Sequence, residues 1–186
     1  MTRRKSLQWG IAFALAAFFT DQATKAAALA AAPDLSQGVE VLPFFNLVLA
    51  HNRGVTFGLL ATDDPAGRWL LILLTGAVTA GLLVWLVRVQ SRLQAAALGL
   101  VIGGALGNLV DRLRHGAVTD FLDFHVQGYH WPVFNLADSG IVLGVALLLI
   151  VDLRAPAAHK PGRELKRSVQ GHLRDTTPLH RGKAEQ

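Results

Sequence analysis

Four long apolar runs limit what this chain can fold into more than any other feature of its sequence. They cover approximately residues 7–32, 69–87, 93–110 and 134–153. A helix needs about 20 mostly apolar residues to cross the hydrocarbon core of a bilayer, and it satisfies its backbone polar groups internally. The sequence therefore predicts an all-α membrane protein with four transmembrane helices.

The chain of 186 residues contains no cysteine, so disulfides, thiolate metal sites and thiol nucleophiles are excluded. Its net charge of +5 could indicate a nucleic-acid partner. The basic residues, however, flank the apolar runs and are not interleaved with aromatic residues. This distribution is typical of membrane topology and of contact with anionic lipid. We therefore expect membrane lipid, and no nucleic acid, as a partner.

The first apolar run could also be interpreted as a cleaved secretory signal, because Arg3, Arg4 and Lys5 precede it. It is too long for such a signal, it contains Asp21 and Lys25, and three further apolar runs follow it. We therefore interpret it as the first transmembrane span.

Lysine and arginine residues in the short flanks of the spans predict the orientation of the chain, since cytoplasmic flanks are enriched in them. They occur before span one, between spans two and three, and after span four. The loops on the opposite side are longer and carry basic residues more sparsely. Both termini are therefore predicted to be cytoplasmic. The residues behind this prediction are Arg3, Arg4, Lys5, Arg88, Arg92, Arg154 and Lys160.

The loop between spans one and two is rich in β-forming residues over positions 39–49. A turn signal at residues 52–54 follows, before residues 55–57. This pattern predicts a small extracytoplasmic β-sheet or hairpin, although a surface loop that only covers the helix ends fits it equally well. Residues 156–186 are polar, basic and interrupted by proline and glycine, which predicts a disordered cytoplasmic tail. The membrane domain is accordingly placed at residues 1–155.

Polar residues of three spans are predicted to lie in one layer near the outer membrane surface, because depth follows from position along a helix. Asp21 and Lys25 are four residues apart and share a helix face. They form either a structural ion pair or part of a functional site. Asp111 and Arg112 are neighbours that point in different directions, so each is expected to find a partner on another helix. The layer also includes Asn108, Asn135 and Asp138.

Two carboxylates, Asp120 and Asp138, are placed where a membrane protein avoids charge. Asp120 lies on a predicted loop between spans three and four, and Asp138 lies about one turn inside span four. Two carboxylates at close range share a proton and can act as an acid/base pair in peptide hydrolysis without a cofactor. The alternative is a small transporter whose aspartates relay protons or cations. Confinement of the polar residues to one membrane face argues against transport.

Other chemistries have weaker support in the sequence. Ser139 has no histidine at a suggestive spacing, and the Gly-x-Ser-x-Gly motif is absent. His115, His125 and His130 cluster on the outer loop, but their spacing fits no common helix-based zinc site. We therefore predict no metal ligands and no cofactor.

Five blocks in order resemble signal peptidase II, the lipoprotein signal peptidase family of bacterial inner-membrane aspartic endopeptidases. The resemblance covers nearly all of residues 7–153, and it departs from the family pattern at positions 55–58, after the second block. The blocks are Asp21-Gln22-Ala23-Thr24-Lys25, His51-Asn52-Arg53-Gly54, Gly107-Asn108-Leu109-Val110-Asp111-Arg112, Val118-Thr119-Asp120-Phe121 and Phe134-Asn135-Leu136-Ala137-Asp138.

The resemblance implies that Asp120 and Asp138 form the catalytic dyad. It further implies cleavage of prolipoproteins just before a diacylglyceryl-modified cysteine, at the outer face of the membrane, by an enzyme expected to be a monomer. Residues implied to line or support the site are Asn52, Asn108, Arg112, Asn135 and Ala137. Those implied to have structural or substrate-positioning roles are Asp21, Lys25 and Asp111.

Overall fold

The computed structural model describes residues 2–54 and 65–154. The predicted tail at 156–186 and the divergent positions 55–58 lie outside the described residues. Within them the helices are α1 Arg3–Ala30, α2 Ala32–Leu35, α3 Pro65–Leu86, α4 Arg92–His115 and α5 Leu136–Arg154. The strands are β1 Val39–Leu42, β2 Phe45–Asn52, β3 Val118–Val126 and β4 Tyr129–His130.

Three of the described helices are long and apolar enough to cross a membrane, judged by length and composition. They are Ala66–Leu86, Arg92–His115 and Leu136–Arg154. Helix α1 has 28 residues, but Asp21 and Lys25 interrupt its apolar run. The prediction of apolar spanning helices with a small antiparallel sheet is confirmed in this coarser form.

Helix α4 packs closely against α1 and α5 because small residues line both contacts. A methyl group added at Gly103 would overlap the backbone carbonyl of Ala14 on α1, and one added at Gly104 would overlap that of Ala137 on α5. Close backbone approach through small residues is a common way for membrane helices to associate. Glycine at these positions therefore sets how near the polar residues of the three helices come to one another.

The sheet contains four antiparallel strands in the order β1-β2-β3-β4. The sequence predicted strands only between spans one and two, and this prediction missed β3 and β4, which follow α4. Gln127 and Gly128 connect them, with φ values of 51° and 82°. Positive φ at both central residues is what a two-residue type I′ hairpin requires. The second hairpin pairs with β2 and completes the sheet.

Two predicted boundaries are wrong, and both concern the site. Asp120 lies in β3, opposite Ala50 of β2, and not on a loop. Helix α4 continues to His115, five residues beyond the predicted end of span three at position 110. The charged residues end the apolar run without ending the helix, because basic side chains suit a helix C-terminus. Gly116, with φ 79°, then caps it.

Candidate active site

The side chain of Asn135 connects the two carboxylates that the sequence singled out. Its Nδ2 donates to Oδ1 of Asp120 at 2.6 Å, and its Oδ1 accepts from the backbone N–H of Asp138 at 3.0 Å. Asn135 is fully buried, and Asp120 is 2% exposed. A strand carboxylate and a helix carboxylate therefore meet around one amide.

The start of α5 shows how local sequence positions Asp138. Asn135 directly precedes the helix, and its side chain caps the N–H of Asp138. In return, Oδ2 of Asp138 accepts the backbone N–H of Asn135 at 3.3 Å. This reciprocal pair is a capping box, with Asp138 in the acidic third position. Asp138 is therefore held in the first turn of the helix by its own neighbours.

Asn108 of α4 supplies the second side-chain amide of the site. Its Nδ2 donates to Oδ1 of Asp138 at 2.8 Å. Its Oδ1 accepts from Nζ of Lys25 at 2.9 Å and from Nδ2 of Asn135 at 3.2 Å. Because both of these donors bind the Oδ1 atom of Asn108, the Nδ2 atom of the same amide is directed toward Asp138. Lys25 thus orients Asn108 as a donor to this carboxylate.

Lys25 also forms two buried ion pairs, one within α1 and one with α4. Its Nζ lies 2.9 Å from Oδ2 of Asp21 and 3.0 Å from Oδ2 of Asp111. Asp21 in turn accepts the N–H of Ala137 at 2.9 Å, and Asp111 accepts the N–H of Thr119 at 3.1 Å. The cluster therefore connects α1, α4, α5 and β3. The expectation that Asp111 needs a partner on another helix is confirmed.

Arg112 is a buried cation beside the two carboxylates. Its Nη2 donates to the backbone carbonyl of Gly54 at 2.8 Å, and the guanidinium interacts electrostatically with Asp138 and Asp120. Its hydrogen-bond partner outside α4 is thus the segment after β2, whereas its interaction with α5 is electrostatic, through Asp138. The contact ties the end of β2 to α4, next to the carboxylates.

The two carboxylates have different surroundings, and those of Asp120 change its proton affinity. Burial, together with the nearby charge of Asp138, raises the pKa of Asp120 from 3.8 to about 7, although hydrogen bonds from Asn52 and Asn135 oppose the rise. Asp138 instead accepts hydrogen bonds from Asn108 and from the Asn135 backbone. The arrangement can therefore hold a proton on Asp120 near neutral pH.

A cavity of about 830 Å³ opens beside this pair. Asp138 is the carboxylate of the two that lines it. Its polar lining is contributed by Asn52, Thr75, Asn108, Arg112, Asp138 and Ser139, and its apolar lining includes Leu71, Val118, Trp131, Phe134, Ile141, Val142 and Leu143. A largely apolar groove with polar groups at one place is the usual form of a binding site.

The network also includes residues that the sequence reasoning did not assign. Nε2 of Gln22 donates to Asp111 at 3.1 Å and makes a longer contact with Asp21 at 3.3 Å. The carbonyl of Thr119 accepts a hydrogen bond from Asn135 at 3.4 Å. Both residues stand inside the sequence blocks quoted above, beside an assigned aspartate, and that position was the signal that could have identified them.

The outer histidines lie apart from these carboxylates. Nδ1 of His130 lies 2.9 Å from Oδ1 of Asp123, and the rings of His125 and His130 stack with centroids 4.8 Å apart. Within residues 2–54 and 65–154, no group of three or more histidine, aspartate or glutamate side chains is arranged to hold a metal ion. Ser139 donates its hydroxyl to the carbonyl of Asn135 at 3.1 Å.

Two solved structures described as bacterial membrane enzymes share this architecture. The first, determined at 2.3 Å resolution, has a TM-score of 0.70 and 30% sequence identity, and the match covers 82% of this chain and 92% of that one. The second, at 1.9 Å resolution, has a TM-score of 0.67 and 29% identity, with coverage of 79% and 94%. The fold therefore places this protein among bacterial membrane enzymes.

Sequence comparisons define the family. The family model for signal peptidase (SPase) II matches residues 13–154. The lipoprotein signal peptidase of Nitrobacter hamburgensis is 47% identical over 161 residues, which is 83% of this chain and 98% of that protein. The one from Methylobacterium sp. strain 4-46 is 46% identical over 158 residues, with coverage of 82% and 95%. The chain belongs to the signal peptidase II family.

Membership makes the protein an aspartic peptidase that removes signal peptides from prolipoproteins, as the sequence predicted. The alternative of a small transporter has no support among these comparisons.

Proposed function

We propose that Asp120 and Asp138 are the catalytic pair of this peptidase. The observation that carries the proposal is the side chain of Asn135, which bonds to Asp120 and caps Asp138 at the same time. The two carboxylates held in this way have different surroundings. Such a difference allows one carboxyl group to act as the general acid and the other as the general base in the same site. The cavity beside Asp138 supplies room for a peptide segment.

In the proposed reaction the ionised Asp138 takes a proton from a water molecule, whose oxygen attacks the scissile carbonyl carbon. The protonated Asp120 donates its proton to the carbonyl oxygen, which would otherwise become negatively charged. As the tetrahedral intermediate collapses, Asp120 takes back a proton from one of its hydroxyl groups, the C–N bond breaks, and Asp138 gives its proton to the departing amine. The products are a carboxylic acid and an amine, and both aspartates return to their starting states. Asn108 and Asn135 keep the two carboxylates in place throughout, and Arg112 lowers the cost of their shared negative charge.

The substrate bond proposed for this chain precedes a diacylglyceryl-modified cysteine. The apolar wall of the cavity, formed in part by Leu71, Ile141 and Val142, suits the acyl chains and the apolar segment of a signal peptide. The polar end of the cavity, beside Asp138, would be in contact with water. A site near the membrane surface would let the acyl chains stay in lipid while the scissile bond is hydrolysed.

The proposed placement has four membrane-spanning helices, α1, α3, α4 and α5, in the bacterial inner membrane with both termini cytoplasmic. Helix α1 is included because its 28 residues exceed the length needed to span. The site then faces outward, and the chain is proposed to act as a monomer. Reporter fusions at the termini and in the loop before α3 test this topology.

The test of the catalytic pair compares three aspartates. Asp120→Asn and Asp138→Asn should each reduce cleavage of a diacylglyceryl-modified precursor by at least about 10³-fold, since proton transfer is lost while shape is kept. Asp123→Asn is the matched control: it lies on the same strand as Asp120 and is buried, but pairs with His130 and Asn46. Substantial turnover by either dyad variant in a folded preparation would exclude that residue from catalysis.

A further inference from the structure

A second cavity lies far from the catalytic pair, at the N-terminal end of α1. This basic pocket has a volume of about 400 Å³ and is lined by Lys5, Gln8, Trp9, Ala12 and Arg92. Trp9 precedes the catalytic layer on α1 by twelve residues, which corresponds to about 18 Å along a helix. The basic pocket therefore belongs to the opposite end of the helices from Asp120 and Asp138.

The backbone around the basic pocket is fixed by hydrogen bonds between α1, the turn before α4 and the start of α4. The hydroxyl of Ser6, fully buried, donates to the carbonyl of Gln90 at 2.6 Å. Nε of Arg3 donates to the carbonyl of Val87. Ser91 caps the first turn of α4 by accepting the N–H of Gln94 at 3.4 Å. The start of α1 and the start of α4 are thus attached to one turn, and this attachment keeps their side chains together.

The lining of the basic pocket is suited to a phosphate group. Lys5 and Arg92 supply positive charge, Gln8 an amide donor and Trp9 an indole N–H, and none of these described lining residues is acidic. The guanidinium of Arg92 lies over the Trp9 ring, 5.8 Å from its centroid. A tryptophan beside cationic side chains is typical of the headgroup level of a membrane.

The surface next to the basic pocket is apolar. Ile11 and Leu15 follow on α1 and are 46% and 51% exposed, and Leu93 on α4 is 47% exposed. A free phosphate ion would gain nothing from this surface, whereas the acyl chains of a lipid would cover it. Charge and apolar area together favour a lipid over a soluble anion.

We propose that the basic pocket binds the phosphodiester headgroup of an anionic phospholipid, whose acyl chains lie along Ile11, Leu15 and Leu93. The proposal rests on the membrane placement of α1 and α4 described above, but not on the assignment of the catalytic pair. Each of the two cations should contribute about 1 kcal/mol, or about fivefold in affinity, as is typical of basic residues at an anionic surface.

The experiment uses the full-length chain with Trp9 as its single tryptophan, obtained by Trp69→Phe, Trp85→Phe and Trp131→Phe. The protein is placed in phosphatidylcholine nanodiscs with an equal mole fraction of either brominated phosphatidylglycerol or brominated phosphatidylcholine. Bromine quenches tryptophan fluorescence on contact. The expected result is severalfold stronger quenching by the brominated phosphatidylglycerol, weakened by raised salt.

Charge variants in the same background decide whether the basic pocket is responsible. Lys5→Gln and Arg92→Gln should each reduce the preference for phosphatidylglycerol about fivefold, and the double variant should abolish it. Arg114→Gln, an exposed cation at the other end of α4, is the matched control and should leave the preference unchanged. Equal quenching by both lipids, or equal loss in the Arg114 variant, overturns the proposal.

Two further measurements distinguish lipid binding from the binding of a free phosphate ester and from an effect on catalysis. Soluble glycerol phosphate should not abolish the quenching; if it does so at low concentration, the basic pocket binds free phosphate esters and the lipid proposal is wrong. Precursor cleavage in detergent should be unchanged in Lys5→Gln/Arg92→Gln, measured with all four tryptophans present. Failure of the lipid test with intact cleavage would thus leave the proposed catalytic pair untouched.

Discussion

The raised pKa of Asp120 predicts how the stability of this protein depends on pH. Between about pH 4 and pH 7 the folded protein keeps a proton on Asp120 that the unfolded chain releases, because burial raises this pKa from 3.8 to about 7. A carboxyl group whose pKa is raised by folding stabilises the folded state less as the pH rises, because the folded protein must then give up its proton. The free energy of unfolding should therefore fall through this window, and the fall should be absent in Asp120→Asn.

The size of the effect follows from the displacement of this pKa from 3.8 to about 7. Each tenfold change in proton affinity is worth about 1.4 kcal/mol, so the full difference amounts to about 4 kcal/mol above pH 7. The stability of Asp120→Asn relative to the parent should accordingly rise by about this amount between pH 4 and pH 8. For a chain of this size it corresponds to a relative change in Tm on the order of 10 °C.

Thermal unfolding in detergent, followed by circular dichroism at both pH values, measures this difference. Asp34→Asn, which removes an exposed carboxylate on α2, reports the effect of losing a surface charge. A stability difference between Asp120→Asn and the parent that stays constant from pH 4 to pH 8 would refute the reasoning. It would mean that Asp120 is ionised in the folded protein across the whole range, and that the dyad proton lies elsewhere.

Three further outcomes are expected from the same structure. Arg112→Lys should lower both activity and stability, the latter by about 1–3 kcal/mol because the bond to Gly54 is lost; Arg114→Lys is the exposed control, and the opposite ranking would contradict the site. Gly103→Ala should destabilise the protein by about 1–3 kcal/mol in a melting experiment, because the methyl overlaps Ala14, whereas Gly81→Ala, which meets no atom within 4 Å, should not. Activity should survive complete chelation of divalent metals; a loss that zinc restores would move the assignment to His115, His125 and His130.

Some parts of this protein could be predicted from the sequence because their causes are local. Apolar runs indicate membrane helices wherever they occur, since about 20 residues suffice to span a bilayer. The position of Asp138 is local in the same sense, because Asn135 and Asp138 form a capping box within four residues. The family resemblance likewise rests on short blocks of neighbouring residues, and the comparisons confirm it.

The position of Asp120 was beyond such reasoning, because the local signals for its strand are weak. The first four residues of β3 are all buried, so they do not show the alternation that identifies a strand with one exposed face. The turn at Gln127–Gly128 lacks the asparagine or aspartate that marks many type I′ hairpins. Only pairing with β2, some 70 residues earlier in the chain, makes this segment a strand. Strand pairing depends on a distant partner.

The contacts between polar residues of different helices were likewise decided by tertiary structure. The sequence by itself determined which residues are polar and how deep each lies in its helix. It did not determine that Lys25 reaches Asn108, 83 positions away, or that Asp21 accepts the N–H of Ala137, 116 positions away. Those contacts exist because glycines on α4 let α1 and α5 approach its backbone. Depth along a helix is a property of one segment, whereas rotation and distance between helices are set by packing.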